Sequence, residues 1–184
     1  AGKDLLKGGT WLGRSRSANQ FALVTNGAVS TTARKSRGLL VTHYLYAQQS
    51  PAQFGQFVTQ HLHEYAACHL LWGDRHALWY GDQSGVKQLT PGWYILGNQP
   101  LTIGCSKTRF VRQQLAQLPA DPTLSALWAI MNHSQPTGEG PRSACYIPCE
   151  DGYGTISQTQ YLINREGVGV LTDETTKHCL ATRA

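Results

Sequence analysis

Short apolar segments separated by turn sequences occupy the middle of the chain, and this pattern limits the fold more than any other feature. In chain order the segments and turns are CHLLW, GDRH, ALWYG, DQSG, VKQLT and PGWYILGN. Asp, Gly, Ser and Pro favour tight turns, and short apolar runs between such turns are typical of strands that pair with their neighbours. This region therefore predicts an antiparallel meander.

Two pairs of helices flank the predicted meander. Each helix begins at a residue that commonly caps a helix or fits its first turn. The expected starts are Ser36, Ser50-Pro51, Ser106 and Asp121-Pro122. The first helix is predicted from Arg37 to about Gln48, and the third ends near Leu118.

Further strands lie outside the two helix pairs. The segment FALVTN comes before the first pair, and SACYIPC, GYGTISQTQYLIN and VGVLT follow the second, the last two as a hairpin. This order of strands and helices predicts an α+β fold in which helix layers cover antiparallel sheets. The 184 residues suffice for one core, so a single domain over residues 1–184 is expected.

The composition excludes several classes of protein. No apolar run approaches the roughly 18 residues that a membrane span needs. The first residues lack the apolar centre of a signal peptide, so we expect a cytoplasmic protein without a transmembrane segment. The chain has five cysteines, and this odd number indicates reduced thiols instead of a disulfide framework.

The net charge of +5 raises the question of an anionic partner. The densest basic cluster consists of Arg14, Arg16, Arg34, Lys35 and Arg37. Aromatic residues do not alternate with these side chains as they do on a base-stacking surface, so nucleic-acid binding is not expected. The cluster suits a small anionic ligand, and the alternative is a solvated basic face.

Five motifs occur in an order that points to a known family. They are GGTWLG at 8–13, the strand ending in Thr25-Asn26, SRGLLV at 36–41, LTPGWYILGN at 89–98 and GYGT at 152–155. Together they resemble the transport and Golgi organisation protein 2 family, also called the NRDE family, from about Lys7 to Thr172. The resemblance implies a fold like that of the N-terminal-nucleophile hydrolases, a four-layer αββα sandwich.

Members of that family usually begin Met-Cys, with the Cys in the place of the nucleophile, and an Asn-Arg-Asp-Glu motif follows. This sequence contains neither, so the resemblance implies a domain that is incomplete at its N-terminus. Ile156 stands where many relatives carry an Arg after GYGT. A missing strand pair would expose sheet edges, which favours a homodimer.

The candidate ligand-binding residues follow from the motifs and the basic cluster. Glycines before Thr10 and Trp11 permit a close backbone approach to a ligand, and Trp supplies a flat apolar face. The alternative is a tight turn beside a core Trp. Arg14 and Arg37 are the expected partners of an anionic group.

Two asparagines at predicted strand ends, Asn26 and Asn98, are the other candidates. In the choloylglycine-hydrolase-like branch of the implied fold, such residues serve as oxyanion donors, which stabilise a tetrahedral intermediate. The alternative is that each Asn ends a strand or turns the chain.

Seven histidines are possible metal ligands, and His43, on the helix after the basic loop, is the candidate. His61 and His63 lie two residues apart on a predicted helix and therefore face different ways. The absence of a Cys-x-x-Cys-His motif excludes covalent haem attachment.

These features favour a protein that binds haem transiently and without a covalent bond, in haem transport or as a haem chaperone. Relatives of the resembled family are implicated in moving haem, and lipid or acyl-coenzyme A binding is an alternative that the resemblance also implies. A second alternative is an amidohydrolase with an N-terminal nucleophile. The missing Cys and Ile156 oppose that activity, so we expect no amide hydrolysis by this chain. A third alternative is a protein-interaction domain without a small ligand.

Overall fold

The structure is a computed structural model. It describes residues 2–15, 19–27, 35–101, 103–138, 140, 143–148, 154–155, 157–163 and 169–175, with the backbone alone at 157, 161–163 and 169–175. The chain divides into two compact units, residues 1–103 and residues 104–184. The single domain over residues 1–184 stays a prediction.

A five-stranded antiparallel sheet forms the centre of the first unit. Its strands, in spatial and chain order, are β1 (Leu12–Arg14), β2 (Phe21–Asn26), β3 (Cys68–Gly73), β4 (Leu78–Asp82) and β5 (Gly85–Leu89). Every neighbouring pair is antiparallel. The predicted meander is therefore confirmed from β3 to β5.

The segment PGWYILGN does not continue the meander, so the predicted strand there is wrong. Residues 90–101 contain neither helix nor strand. Pro91 has no N–H to donate to a ladder. Tyr94 and Leu96 instead pack against a cluster of buried sheet residues that includes Leu71 and Tyr80.

Two helices cover one face of this sheet. They are α1 (Gly38–Tyr46) and α2 (Pro51–His61), and a 3-10 turn over Leu62–Glu64 follows α2. Ser50 caps α2 and Pro51 occupies its first turn, as predicted, and Gln53 completes a reciprocal capping box with Ser50. Ser36 does not cap α1. The backbone at Arg37 already has helical angles, and no side chain caps this end.

The main core lies between these helices and the sheet. Its largest fully buried side chains are Trp72, Tyr44, Phe54, Leu40 and Leu70. The polar ends of its two largest side chains are paired, because Trp72 Nε1 donates to the Pro51 carbonyl at 2.9 Å and the Tyr44 hydroxyl to the Gly73 carbonyl at 3.2 Å. A buried aromatic ring with a satisfied polar end packs without a desolvation penalty.

A smaller cluster lies on the opposite face of the sheet, where Leu71, Tyr80 and Leu89 are buried. Successive residues of a strand point to opposite faces, so β3 contributes Leu70 and Trp72 to one cluster and Leu71 to the other. All six residues of β3 are buried for this reason.

The second unit contains helices α3 (Ser106–Ala116) and α4 (Leu124–Met131) and strands β6 (Ser157–Ile163) and β7 (Gly169–Thr175), which pair antiparallel. The predicted helix pair and hairpin are confirmed. Thr123 caps α4 by accepting from the Ala126 N–H, so the cap predicted at Asp121-Pro122 is wrong. In SACYIPC, residues 143–148 are described and form no strand.

These elements confirm the α+β class, and the four-layer αββα arrangement stays a prediction. None of the helices in the described part of the chain has the length and apolar character needed to cross a membrane. The edges of the described sheet are β1 and β5. The homodimer stays a prediction.

Candidate functional site

The candidate site lies where β2 ends, β3 begins and α1 starts. Asn26 and Cys68 are register partners at this end of the sheet. Arg37, the residue before α1, donates from Nη1 to Asn26 Oδ1 at 2.7 Å and to the Ala67 carbonyl at 2.9 Å. One guanidinium nitrogen thus joins the end of β2 to the start of β3. We call Arg37, Asn26 and the Ala67 carbonyl the arginine clamp.

The charge of the arginine clamp has no counterion in the described part of the chain, where no carboxylate forms an ion pair with Arg37. The other guanidinium nitrogens have donors to spare, since Arg carries five N–H groups. The Asn26 side chain uses its oxygen for Arg37, so its NH₂ group is the part that remains for another partner. The clamp therefore offers fixed donors and one positive charge.

Lys35, a neighbour in the basic cluster, does not add a second such charge. Its ammonium pairs with Glu64, which also contacts His61 Nδ1 at 2.8 Å. Hydrogen bonds from Lys35 and then from His61 lower the pKa of Glu64 to about 2. Of the other predicted members, Arg16 and Arg34 lie outside the described residues.

The segment with Thr10 and Trp11 lies beside the clamp. The Thr10 N–H donates to the Gly38 carbonyl at 3.2 Å, and the Trp11 carbonyl accepts from the Val24 N–H at 2.8 Å. A Cβ atom at Gly9 would lie 2.4 Å from the carbonyl carbon of Gly38, so only glycine permits this approach to the start of α1. Trp11 is 50% exposed, which contradicts a core role for it.

Thr10 itself is buried, and its hydroxyl contacts the carbonyls of Gly2 at 2.5 Å and Leu12 at 3.0 Å. These contacts hold the segment in place. Backbone bonds therefore bring Thr10 and Trp11 close to Arg37 and Asn26, and the four residues form one region of the first unit. Their roles in ligand binding stay predictions.

Arg14 and Asn98 lie away from this region. Arg14 pairs with Phe21 at the end of β1 that is farther from Asn26. Asn98 is exposed and does not end a strand, contrary to the prediction. Its neighbour Gly97 accepts from the Thr25 hydroxyl at 2.9 Å, and Thr25 points to the face opposite Asn26. The described contacts do not join the two asparagines.

His43, the predicted metal ligand, packs against aromatic rings of α2. Its ring centroid lies 4.1 Å from that of Phe57 and 5.8 Å from that of Phe54. Burial, and then the neighbouring His61, lower its pKa, so the imidazole is neutral at pH 7. In the described part of the chain no three His, Cys, Asp or Glu side chains form a group that could hold a metal ion. Coordination by His43 stays a prediction.

Cys68 was not among the predicted site residues, although it lies beside the clamp. It is fully buried, and burial raises the pKa of its thiol to about 11 against the opposing effect of Arg37. A thiol with this pKa is almost entirely protonated at pH 7 and is a poor nucleophile. Cys68 therefore does not supply an activated thiol nucleophile beside the clamp.

A buried polar chain on the opposite face also escaped the sequence analysis. The Tyr80 hydroxyl donates to Asp82 Oδ2 at 2.6 Å. Because a hydroxyl has a single proton, Tyr80 accepts from His69 Nδ1, which lies 2.8 Å away. His69 is 3% exposed, and its Nε2 has no partner among the described residues.

This polar chain keeps Asp82 charged. Burial alone would raise the pKa of Asp82, but hydrogen bonds from Ser84 and Tyr80 outweigh it and lower the pKa. Burial and the adjacent Asp82 raise the pKa of Tyr80, so the phenol stays protonated. The signal in the sequence was a His in an otherwise apolar strand, which one turn and one strand separate from Asp82.

Comparison with known proteins agrees with the motifs. A family model described as Transport and Golgi organisation 2 matches residues 1–178. No curated protein matches the chain. The family match spans both compact units and confirms the resemblance that the five motifs indicated.

Proposed function

Because the chain belongs to the Transport and Golgi organisation 2 family, we propose that it carries haem, which it binds transiently and without a covalent bond at the arginine clamp. The observation that carries the proposal is the Arg37 guanidinium, which is held by Asn26 and Ala67 and has no carboxylate partner in the described part of the chain. A fixed, uncompensated cation is suited to an anionic group of a ligand.

Haem presents two propionates, and a carboxylate pairs well with Arg. Nη1 of Arg37 is engaged by the protein, so the remaining nitrogens donate to one propionate. The Asn26 NH₂ group supplies a further donor beside it. Because two partners already hold the guanidinium, little side-chain entropy is lost when the propionate binds.

Trp11 supplies the apolar contact of the proposed site. Half of its surface is exposed, and its carbonyl ties it to β2 two residues before Asn26. A large flat indole is suited to the face or edge of a porphyrin ring. The carboxylate end and the apolar part of haem thus have separate partners in one region.

Release is as important to a carrier as binding. One propionate at one Arg, with an apolar contact, gives a modest affinity that allows transfer to an acceptor. His43 is the proposed axial ligand, since its neutral imidazole has a lone pair for iron. A single imidazole ligand is compatible with transfer of the haem to an acceptor.

A titration of the chain with ferric haem, followed in the Soret band, tests the proposal. We expect saturable one-to-one binding by the wild type and binding about tenfold weaker by Arg37→Gln, because the propionate loses its cation. Arg112→Gln is the matched control, since Arg112 is exposed on α3. It should bind like the wild type.

Each other outcome counts against a defined part of the proposal. The absence of saturable binding by the wild type refutes the carrier, and a parallel titration with acyl-coenzyme A then tests the alternative ligand. Equal affinities of wild type and Arg37→Gln refute the clamp as the site. Turnover of an amide substrate by the purified chain favours the hydrolase. Thermal denaturation of both variants shows whether they remain folded.

A further inference from the structure

A cavity of about 210 Å³ opens beside β4 and β5, and nothing in the proposed haem site uses it. Its polar lining comes from Tyr80, Asp82, Ser84 and Lys87, and its apolar lining includes Pro100 and Leu101. None of these residues belongs to the arginine clamp. Tyr80 and Lys87 are paired in register across β4 and β5, on the face that carries the smaller cluster.

The floor of the cavity is a carboxylate with one acceptor position open. Asp82 Oδ1 accepts from the Ser84 N–H at 2.8 Å and from its hydroxyl at 2.5 Å, and Oδ2 accepts from Tyr80 at 2.6 Å. A carboxylate has about four acceptor positions. The described residues fill three of them, so Oδ2 retains one position for a donor from a ligand.

Asp82 is also buried and charged. Its side chain is 6% exposed, and Tyr80, which holds it, is 4% exposed and stacked with His69 at a centroid distance of 6.1 Å. A buried carboxylate attracts a cation more strongly than one in water, and His69 Nδ1 lies 3.8 Å from Oδ2. The open position on Oδ2 is therefore best matched by an ammonium group.

The rim of the cavity carries the opposite charge. Lys87 is exposed, and its Nζ lies 5.8 Å from the centroid of the Tyr80 ring. It forms no ion pair within the described part of the chain. An ammonium group has three donors and no acceptor, so a ligand at this rim is best matched by a carboxylate.

We propose that this cavity binds a small zwitterion of the α-amino-acid type with an apolar side chain. The ligand ammonium donates to Asp82 Oδ2, the ligand carboxylate accepts from Lys87, and the side chain packs on Pro100 and Leu101. A single ligand of this class satisfies the open acceptor and the unpaired cation together. An amino acid is small enough for this cavity, whose volume lies below the usual range for sites that bind drug-sized ligands.

Three probes of similar shape separate the two charges. L-Leucine carries both, 4-methylpentanoate lacks the ammonium and isoamylamine lacks the carboxylate. Each is titrated into the full 184-residue chain and followed by ligand-observed NMR. We expect saturable binding of leucine, and binding at least about tenfold weaker for each of the other two, because each loses one charged contact.

Lys87→Gln tests the rim, and Lys3→Gln is the matched control, since Lys3 is an exposed lysine of the same unit. Lys87→Gln should weaken leucine about tenfold and leave isoamylamine unchanged. Lys3→Gln should change neither. Lys87 is exposed on an edge strand, so this substitution leaves the fold intact and decides the question without a change to the buried residues.

Three results would overturn the proposal. The first is an absence of saturable leucine binding up to about 50 mM, a limit beyond which affinity is negligible. The second is equal affinity for leucine and either single-charge probe. The third is an unchanged affinity of Lys87→Gln for leucine. Any of them would leave Asp82 as the cap of the β4–β5 turn alone.

Discussion

At the scale of single residues, environment decides which cysteine is reactive. Cys68 is buried, and its pKa is raised to about 11 by that burial. Cys105 is exposed just before α3. Its partial burial would raise its pKa, but hydrogen bonds from the Thr108 N–H and hydroxyl outweigh this effect and lower the pKa. The thiolate is the reactive form, so the two thiols differ in both ionisation and access.

We therefore predict that iodoacetamide at pH 8 modifies Cys105 long before Cys68 in the folded chain. The pKa values of the two thiols are shifted in opposite directions, so Cys105 has much the larger thiolate fraction, and the burial of Cys68 adds to the difference. Peptide mapping by mass spectrometry measures both rates, and the unfolded chain in urea is the control. There the two rates should converge. Equal rates in the folded chain would contradict the buried position of Cys68.

The arginine clamp shows what single residues reveal from sequence and what they do not. Arg37 and Asn26 were each predicted as ligand residues, from a basic cluster and from a strand end. Their mutual hydrogen bond was not predicted, because it depends on where α1 begins relative to β2. The position of the start of α1 relative to β2 is set by the contact of Gly9 with Gly38. This contact joins segments that are far apart in sequence.

At the scale of elements, the sequence predicted helix starts and hairpins correctly where the interacting groups are close in sequence. Ser50, Pro51 and Gln53 specify the start of α2 within four residues, and the structure has this cap. The hairpin of β4 and β5 follows in the same way from DQSG. The strand predicted for PGWYILGN is wrong because the apolar residues of this segment pack on the sheet instead of pairing with it. Only tertiary contacts distinguish a packed segment from a paired strand.

Ser36 and Ser50, which precede neighbouring helices, provide a matched test of helix capping. Ser50→Ala removes a side chain that accepts from the Gln53 N–H, so we predict a loss of about 1 kcal/mol in the free energy of unfolding. Ser36 makes no such bond to α1. Ser36→Ala should therefore change the free energy by less than about 0.5 kcal/mol.

Urea denaturation of both variants and the wild type measures this difference. The tryptophan fluorescence of the chain reports on unfolding, and the buried Trp72, which contacts α2 through Pro51, contributes to it. A loss in Ser36→Ala as large as that in Ser50→Ala would show that Ser36, and not Arg37, is the N-cap of α1.

At the scale of the whole molecule, one sheet separates two kinds of chemistry in the first unit. The helix-covered face ends in the arginine clamp, and the other face carries His69, Tyr80 and Asp82. Strand alternation produces this division, since Asn26 and Thr25, like Cys68 and His69, point in opposite directions. Two proposed ligands can therefore bind the same sheet without sharing a residue.

The central position of β3 makes the whole first unit depend on a few side chains. Trp72 is fully buried, its Nε1 donates to Pro51 of α2, and its ring lies 5.5 Å from Phe54 and 6.1 Å from Trp79. These contacts join the sheet to α2. Trp93, in contrast, is 55% exposed in the segment that follows β5.

We predict that Trp72→Phe lowers the free energy of unfolding by about 2–4 kcal/mol, because a smaller ring leaves a cavity and the Pro51 carbonyl loses its donor. Trp93→Phe, the same substitution at an exposed position, should cost less than about 0.5 kcal/mol. Urea denaturation followed by circular dichroism measures both, since it does not rely on the removed indole. Similar values for the two variants would mean that Trp72 does not link β3 to α2, and the packing of helices on this sheet would then need another explanation.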